Sequence, residues 1–391
     1  MKANVLILST NYWHSLWFRK QRFAKMFAES NHKVLYVNPI FTILSFFQDK
    51  DCRQIFFSWL TGPRETAPNL WTFSLPPLLP FRRRSMFVDK INTKLSRWWI
   101  ARAMRTIWSD EEYVQIVYRP EDVYRSPLNT HCLALIYECV DEHSEYPENV
   151  YRKEKIKQLE ANLIAHSALT TVTARGLLEK KSSLAQRIKL VPNGVDFDNF
   201  NAASSSSISV PQDIASVGKP ILMYVGAIMQ WFDMDLVDRL AQLRRDWSIV
   251  LVGPTNLQQS ELTSEPNIFY LGRRPPGSIP GYIGAADVCL IPFRVNELTR
   301  YVNPLKLYEY LAAGKPVVSV PMPEVVAQHQ RGVIEIASTA GEFVEAVESL
   351  LKDGHNSKGC LRLARENSWT TLFASLYGEI AGSGVHLNDD K

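Results

Sequence analysis

Short unbroken apolar runs alternate along this chain with segments of helical period. Runs at 4–8 (NVLIL), 33–38 (KVLYVN), 114–118 (VQIVY) and 132–137 (CLALIY) read as buried strands of a parallel sheet. Helical spacing covers 15–30 and 150–166 between and after them. The rhythm resumes at 220–226 (PILMYVG), 247–253 (WSIVLVG), 267–272 (NIFYLG) and 287–293 (DVCLIPF), with a helix over 233–243. Helices at about 340–352, 358–366 and 369–381 close the chain. Strand–helix–strand units repeated in both halves predict an α/β protein with two Rossmann-like doubly wound domains. The polar run SSSSISVP marks the boundary. The first domain is read as 1–195, a linker as 196–218, the second domain as 219–368, and 369–391 as a last helix crossing back toward the first, with its tail.

The densest pattern is 303–320, NPLKLYEYLAAGKPVVSV. Asn303 reads as an N-cap and Pro304 as the first helical residue; Gly314 ends the helix, and PVVSV is a buried strand. Leu305, Leu307, Tyr308, Leu311 and Ala312 share one face, and Lys306, Glu309, Tyr310 and Ala313 the other. A helix N-terminus offers unpaired N–H groups and the positive end of the dipole. Lys306 adds a point charge, and Glu309, one turn deeper, can accept two hydrogen bonds from a ribose diol. The arrangement suits a nucleotide diphosphate. A plain Lys–Glu surface pair has the same spacing.

Composition narrows the class. The chain has 391 residues, 46% hydrophobic and 21% charged, enough for two or three domains with sizeable cores. Its five cysteines are scattered without a CxxC pair, which argues against a zinc site or a disulfide framework and fits a reducing cytoplasm. The opening MKANVLILSTNYWH reads as a first strand rather than a signal peptide, and no run approaches a membrane span of ~20 residues. Charge is uneven: residues 1–110 hold 17 Lys/Arg against 6 Asp/Glu, a net of +11, while the whole chain has +4. That asymmetry points to an anionic partner for the first part. Residues 40–110 are also rich in Phe, Ile and Trp, and 94–108 (KLSRWWIARAMRTIW) reads as a helix mixing aromatic and basic side chains. This suits an anionic membrane surface; a core helix with a solvated basic face is the other reading. No nucleic-acid motif is present.

The loop after the first strand, STNYWHSLWFR, has no glycine, so the dinucleotide fingerprint is absent. It lies where ligands of open α/β sheets bind, and Trp13, His14 and Arg19 are candidates to touch one. After the strand 132–137 comes ECVDEHSEYP, with Glu138, Asp141, Glu142, His143 and Glu145 crowded together. Such crowding can raise one carboxyl toward the range of a working base. A solvated helix start collects acids too. Two DxD patterns, Asp196/Asp198 and Asp233/Asp235, lack the strand-end setting of a metal-bound nucleotide-sugar site, and no metal is expected.

These stretches together resemble GT-B fold glycosyltransferases, in particular bacterial polysaccharide enzymes of the teichuronic-acid and xanthan glucuronosyltransferase kind. FRKQRFAKMFAESNHKVLYVNP, YECVDEHSEYP, LVPNGVDFDNF, YVGAIMQWFDMDLV and NPLKLYEYLAAGKPVVSV carry the resemblance. It implies two Rossmann-like domains facing across a cleft, with a nucleotide-sugar donor, expected to be a UDP-sugar, in the second. The acceptor, lipid-linked or polysaccharide, would lie in the first. The nucleotide-sugar is a substrate, and no cofactor is expected. By position, the donor would meet Gly226, Asn303, Pro304, Leu305, Lys306 and Glu309, with Lys306 at the diphosphate and Glu309 at the ribose. Asp141 falls where the xanthan-type enzymes have their proposed base; from the acidic loop itself, Glu142 and Glu145 are the reserves and His143 a weaker one. Relatives carry a Glu eight residues before the ribose Glu; here that position is Tyr301. They also have an Arg and a Lys after the first strand of the second domain, where this chain has GAIMQWFD; Arg273, Arg294 and Arg300 are candidates to replace them. The expectation is a metal-independent enzyme of cell-surface polysaccharide synthesis, cytoplasmic and peripheral on the inner face of the membrane. A catalytically silent binding subunit and a nucleotide-sugar epimerase are the alternatives.

Overall fold

The computed structural model describes residues 3–383 apart from 49, 81–84, 110, 126–130, 146–149, 205–208, 258–264 and 298. Arg82, Arg83 and Arg84 of the basic run therefore lie outside the described residues. Two compact units share the chain. The first holds 1–173, 177–191 and 373–391; the second holds 174–176 and 192–372.

Among the described residues the first unit has eight strands: β1 (Asn4–Leu8), β2 (Val34–Val37), β3 (Arg64–Ala67), β4 (Leu70–Phe73), β5 (Tyr113–Val117), β6 (Cys132–Cys139), β7 (Leu169–Val172) and β8 (Ile188–Leu190). Their order is β3-β4-β2-β1-β5-β6-β7-β8, parallel except for the edge pair β3–β4. The order reverses between β1 and β5, so the crevice of this sheet lies past their carboxyl ends. β1, β2 and β5 are buried along their whole length, which is why they appear as continuous apolar runs.

The expected helix at 94–108 is longer, Met86–Trp108, with Ser85 as N-cap accepting from the Val88 N–H at 3.4 Å. Ile100, Met104 and Trp108 face the core, whereas Trp98 is exposed. Trp108 is thus core packing and unavailable to a membrane. The helix expected over 15–30 is Arg19–Glu29. Residues 12–18 form a loop instead, held by buried Gln21, whose amide donates to the carbonyls of Tyr12 and Leu16. The last helix, Trp369–Ala381, contributes Phe373 and Tyr377 to this unit, against Phe27 and His32.

Among the described residues the second unit has six strands: β9 (Ile221–Val225), β10 (Ser248–Val252), β11 (Ile268–Gly272), β12 (Val288–Ile291), β13 (Val317–Ser319) and β14 (Ile334–Ile336). All are parallel, in the order β11-β10-β9-β12-β13-β14, with the reversal between β9 and β12. The stretch read as a linker belongs to this unit. Phe197, Phe200 and Ile214 are buried in its core, and Asp213 is ion-paired to Arg274 at 2.7 Å. Among the described residues no helix is long and apolar enough to cross a membrane.

Candidate functional site

The second unit's reversal point is assembled from glycines and one short helix. β9 runs into Gly226, whose N–H donates to the Val252 carbonyl at 2.8 Å. A Cβ at Gly226 would lie 2.7 Å from the Tyr224 hydroxyl and 3.1 Å from Lys306 Cε. Gly253, past β10, has φ +150°, and a Cβ there would fall 1.9 Å from the Gly226 carbonyl oxygen. Only glycine fits at 253, so the two strand ends approach closely, and the Lys306 side chain lies against Gly226. Gly253 went unread in the sequence, although its place after WSIVLV repeats that of Gly226 after ILMYV.

The helix carrying Lys306 is Leu305–Ala312. Pro304, not Asn303, is its N-cap; Asn303 is buried, its amide donating to the Tyr308 hydroxyl at 3.2 Å and its carbonyl accepting from Asn193 at 2.8 Å. Asn303 therefore braces the approach to the helix instead of capping it. Tyr310, assigned above to the polar face, is buried: its hydroxyl accepts the Val225 N–H at 2.8 Å, fixing the helix to the end of β9. What remains open is Leu305, Lys306 and Glu309, all partly exposed. Lys306 Nζ donates to Glu309 Oε2 at 2.9 Å. Arg273 directly follows β11, and Arg294 follows β12, 3.6 Å from Asp235; both are exposed. With strands ~4.8 Å apart, β11 lies roughly 10 Å from β9, so Arg294 is the nearer cation by topology. Tyr301 packs so that a Cβ at Gly176 would meet its ring at 3.0 Å.

In the first unit the acidic stretch separates into different environments. Glu138 is buried at the end of β6 and pairs with Arg19 through Nε–Oε2 at 2.9 Å and Nη2–Oε1 at 3.2 Å. Arg19 is engaged by this pair, which neutralises a carboxylate in the core. Glu142 is also buried, 3.2 Å from both Lys180 and Lys181, and accepts the Ser144 hydroxyl at 2.7 Å. Burial pushes its carboxyl up, but Lys181, Ser144 and Lys180 outweigh that and hold it at about 2. So acidic a group is a poor base, which weakens the reserve reading of Glu142. Glu145 pairs with Lys153 at 3.0 Å.

Asp141 is half-buried beyond the carboxyl end of β6 and interacts with the Lys20 and His143 side chains. Lys20 was missed by sequence reasoning, being one of several cations on its helix. Its ammonium is buried and donates to Thr10 and, at 2.7 Å, to Asn11 Oδ1. Burial lowers it to about 8 despite the opposing pull of Asp141. The His143 ring bonds the Tyr118 carbonyl through Nε2 at 2.9 Å, and burial lowers its pKa. Of the loop candidates, Trp13 packs on Tyr36 at 5.1 Å and donates its backbone N–H to Asn38 Oδ1, and exposed His14 stacks on Tyr12 with Asp51 3.8 Å away. Among the described residues no group of three or more His, Cys, Asp or Glu could hold a metal ion.

Residues 219–353 match the family described as Glycosyl transferases group 1. This segment is a group 1 glycosyltransferase domain. It contains the Gly226–Gly253–Lys306 arrangement. The chain is 26% identical over 276 residues to a teichuronic acid biosynthesis glycosyltransferase, TuaH, described as putative in Bacillus subtilis, covering 67% of this chain and 66% of that protein. It is 25% identical over 261 residues to the D-inositol 3-phosphate glycosyltransferase of Nocardia farcinica, covering 61% of this chain and 56% of that one. The match thus spans just under two thirds of the first relative and just over half of the second. Among solved structures, Anabaena HepE in complex with UDP superposes at TM-score 0.63 and 12% identity, over 98% of this chain and 100% of that one. Sucrose-phosphate synthase from Thermosynechococcus elongatus gives 0.64 at 14% identity, over 98% and 100%. The fold of the chain, two parallel-sheet α/β units of which the second contains the group 1 domain, is that of the GT-B glycosyltransferases.

Proposed function

We propose that this chain is a glycosyltransferase that moves a sugar from a UDP-sugar to a lipid-linked or polysaccharide acceptor in cell-surface polysaccharide synthesis. One observation carries the reading: within a group 1 domain, Lys306 lies against Gly226 at the sheet's reversal point, one turn from Glu309. A diphosphate at this edge would meet the ammonium and the N-terminus of the helix Leu305–Ala312. Glu309 would exchange Lys306 for the ribose hydroxyls. Arg294, and less directly Arg273, would cover charge on the leaving diphosphate without a metal. HepE, whose structure holds UDP, supports the choice of nucleotide.

The acceptor hydroxyl needs a base, and Asp141 is our assignment. It stands past the end of β6 while Glu138, Glu142 and Glu145 are spent on cations. Hexosyl or uronosyl transfer would then proceed with inversion. Asp141→Asn should keep UDP binding and lose roughly 10²–10⁴ in turnover, the worth of a positioned base. Product analysis by NMR tests it: a retained anomeric configuration, or activity within tenfold of wild type, defeats the assignment. The first unit's cations and exposed Phe87 and Trp98 suit an anionic membrane surface as partner. A donor-binding subunit without turnover is the second reading, favoured by Tyr301 standing where the resemblance implies a Glu; donor consumption with acceptor present separates the two.

A further inference from the structure

The first unit contains a groove of about 540 Å³ away from the acidic loop itself. It runs between the helix Met86–Trp108, the turn Pro120–Arg125 and the helix Val150–His166. Among the described residues six cations line it, Lys90, Lys94, Arg97, Arg125, Arg152 and Lys155, against two acids, Asp89 and Glu121. Some of these have structural duties: Arg125 pairs with Asp122 at 2.5 Å, and Arg97 donates to the Tyr124 carbonyl at 2.7 Å. Lys90, Lys94 and Lys155 form no ion pair with any described residue. Lys90 and Lys94 are also one turn apart on one helix, where like charges repel. A concave wall of unneutralised lysines is a site for an anion.

The rim says which anion. The first turns of the two long helices carry Met86, Phe87, Val150 and Tyr151, exposed at 76%, 73%, 79% and 79%. Apolar and aromatic side chains beside lysines are the composition of a bilayer interface. An acidic polysaccharide would use the cations and leave this rim idle; a phosphorylated amphiphile uses both. The groove also stands in a suitable place. The turn Pro120–Arg125 follows the carboxyl end of β5, and the helix Val150–His166 follows that of β6, the sheet edge that carries Asp141.

We propose that this groove holds the phosphate head of a lipid, with Lys90, Lys94 and Lys155 around the phosphate and the chain leaving over Met86, Phe87, Val150 and Tyr151. The inference rests on the lipid-linked part of the reading above. The head belongs either to a prenyl-type carrier or to a phospholipid of the bilayer, and the test separates them. Isothermal titration of the intact protein compares farnesyl phosphate, lysophosphatidylglycerol, farnesol and inorganic phosphate, with no sugar donor present. At least one phosphorylated amphiphile should bind tenfold or more tighter than both farnesol and inorganic phosphate, and which one does so identifies the source. Lys94→Glu/Lys155→Glu should weaken it at least tenfold. Phe87→Ser/Tyr151→Ser should reduce it to the level of inorganic phosphate. All four side chains are exposed, and unchanged thermal melts would establish that the variants fold. Amphiphiles no tighter than inorganic phosphate, or full affinity after charge reversal, overturn the groove. Absence of sugar transfer, assayed separately, is what would sink the enzymatic reading.

Discussion

Glu142 and Asp141 are adjacent in sequence, and the roles proposed for them are opposite: Asp141 is the proposed base, while Glu142 is a buried carboxylate between two lysines. Glu142→Gln keeps the shape of the side chain and removes its charge from between Lys180 and Lys181, both 3.2 Å away. A carboxyl held at about 2 instead of 4.5 contributes roughly 3 kcal/mol at neutral pH. The sign follows from the folded value lying below the unfolded one. The contribution is complete above pH ~4.5, shrinks as pH falls, and is gone once pH passes the folded value of about 2. Urea unfolding of the first unit, followed by circular dichroism, should therefore show the variant about 2–3 kcal/mol less stable at neutral pH, since Lys181 retains its 2.6 Å partner Glu160. By pH ~3 the gap between variant and wild type should have narrowed to about half. Turnover per folded molecule should be unchanged, in contrast to Asp141→Asn, which should lose turnover and keep stability. Equal stability of wild type and Glu142→Gln at neutral pH, or a gap that widens toward acid, would refute this electrostatic account.

Two further substitutions probe the second unit. Gly253→Ala places a Cβ 1.9 Å from the Gly226 carbonyl at φ +150°. It should cost ~2–5 kcal/mol from overpacking and backbone strain and weaken UDP binding, measured by thermal melts with and without nucleotide. Tyr310→Phe removes the hydroxyl that accepts the Val225 N–H at 2.8 Å inside the core; the unpaired N–H should cost about 1–3 kcal/mol in urea unfolding, and an unchanged midpoint would contradict the bond.

The sheets were readable because parallel strands buried on both faces leave unbroken apolar runs, as at β1, β5, β9 and β10. Where that signal is missing, the reading failed. β3 is RETA, largely exposed on the sheet's edge, and β14 is three residues long. The helix from Met86 was placed eight residues late because its middle buries Asn92 and Ser96, whose polar groups bond Leu79 and the helix backbone. These partners are invisible to a hydrophobic pattern. The same limit applied to the site. Lys306 and Glu309 are local to one helix and could be paired from spacing. The roles of Arg19 and Glu142 depend on partners 119 and at least 38 positions away, which only the fold brings together. Lys20 became distinctive only through burial.

The central claim is that a nucleoside diphosphate binds at the helix Leu305–Ala312, against Gly226. Isothermal titration of UDP into the intact wild type and Lys306→Ala tests it most directly. The ammonium's charge-assisted hydrogen bond to a phosphate oxygen is worth ~1.5–3 kcal/mol, so the variant should bind UDP about 10- to 150-fold more weakly while its thermal melt without nucleotide stays close to wild type. Identical UDP affinity in the two proteins, or no binding of UDP to the wild type, would contradict the account.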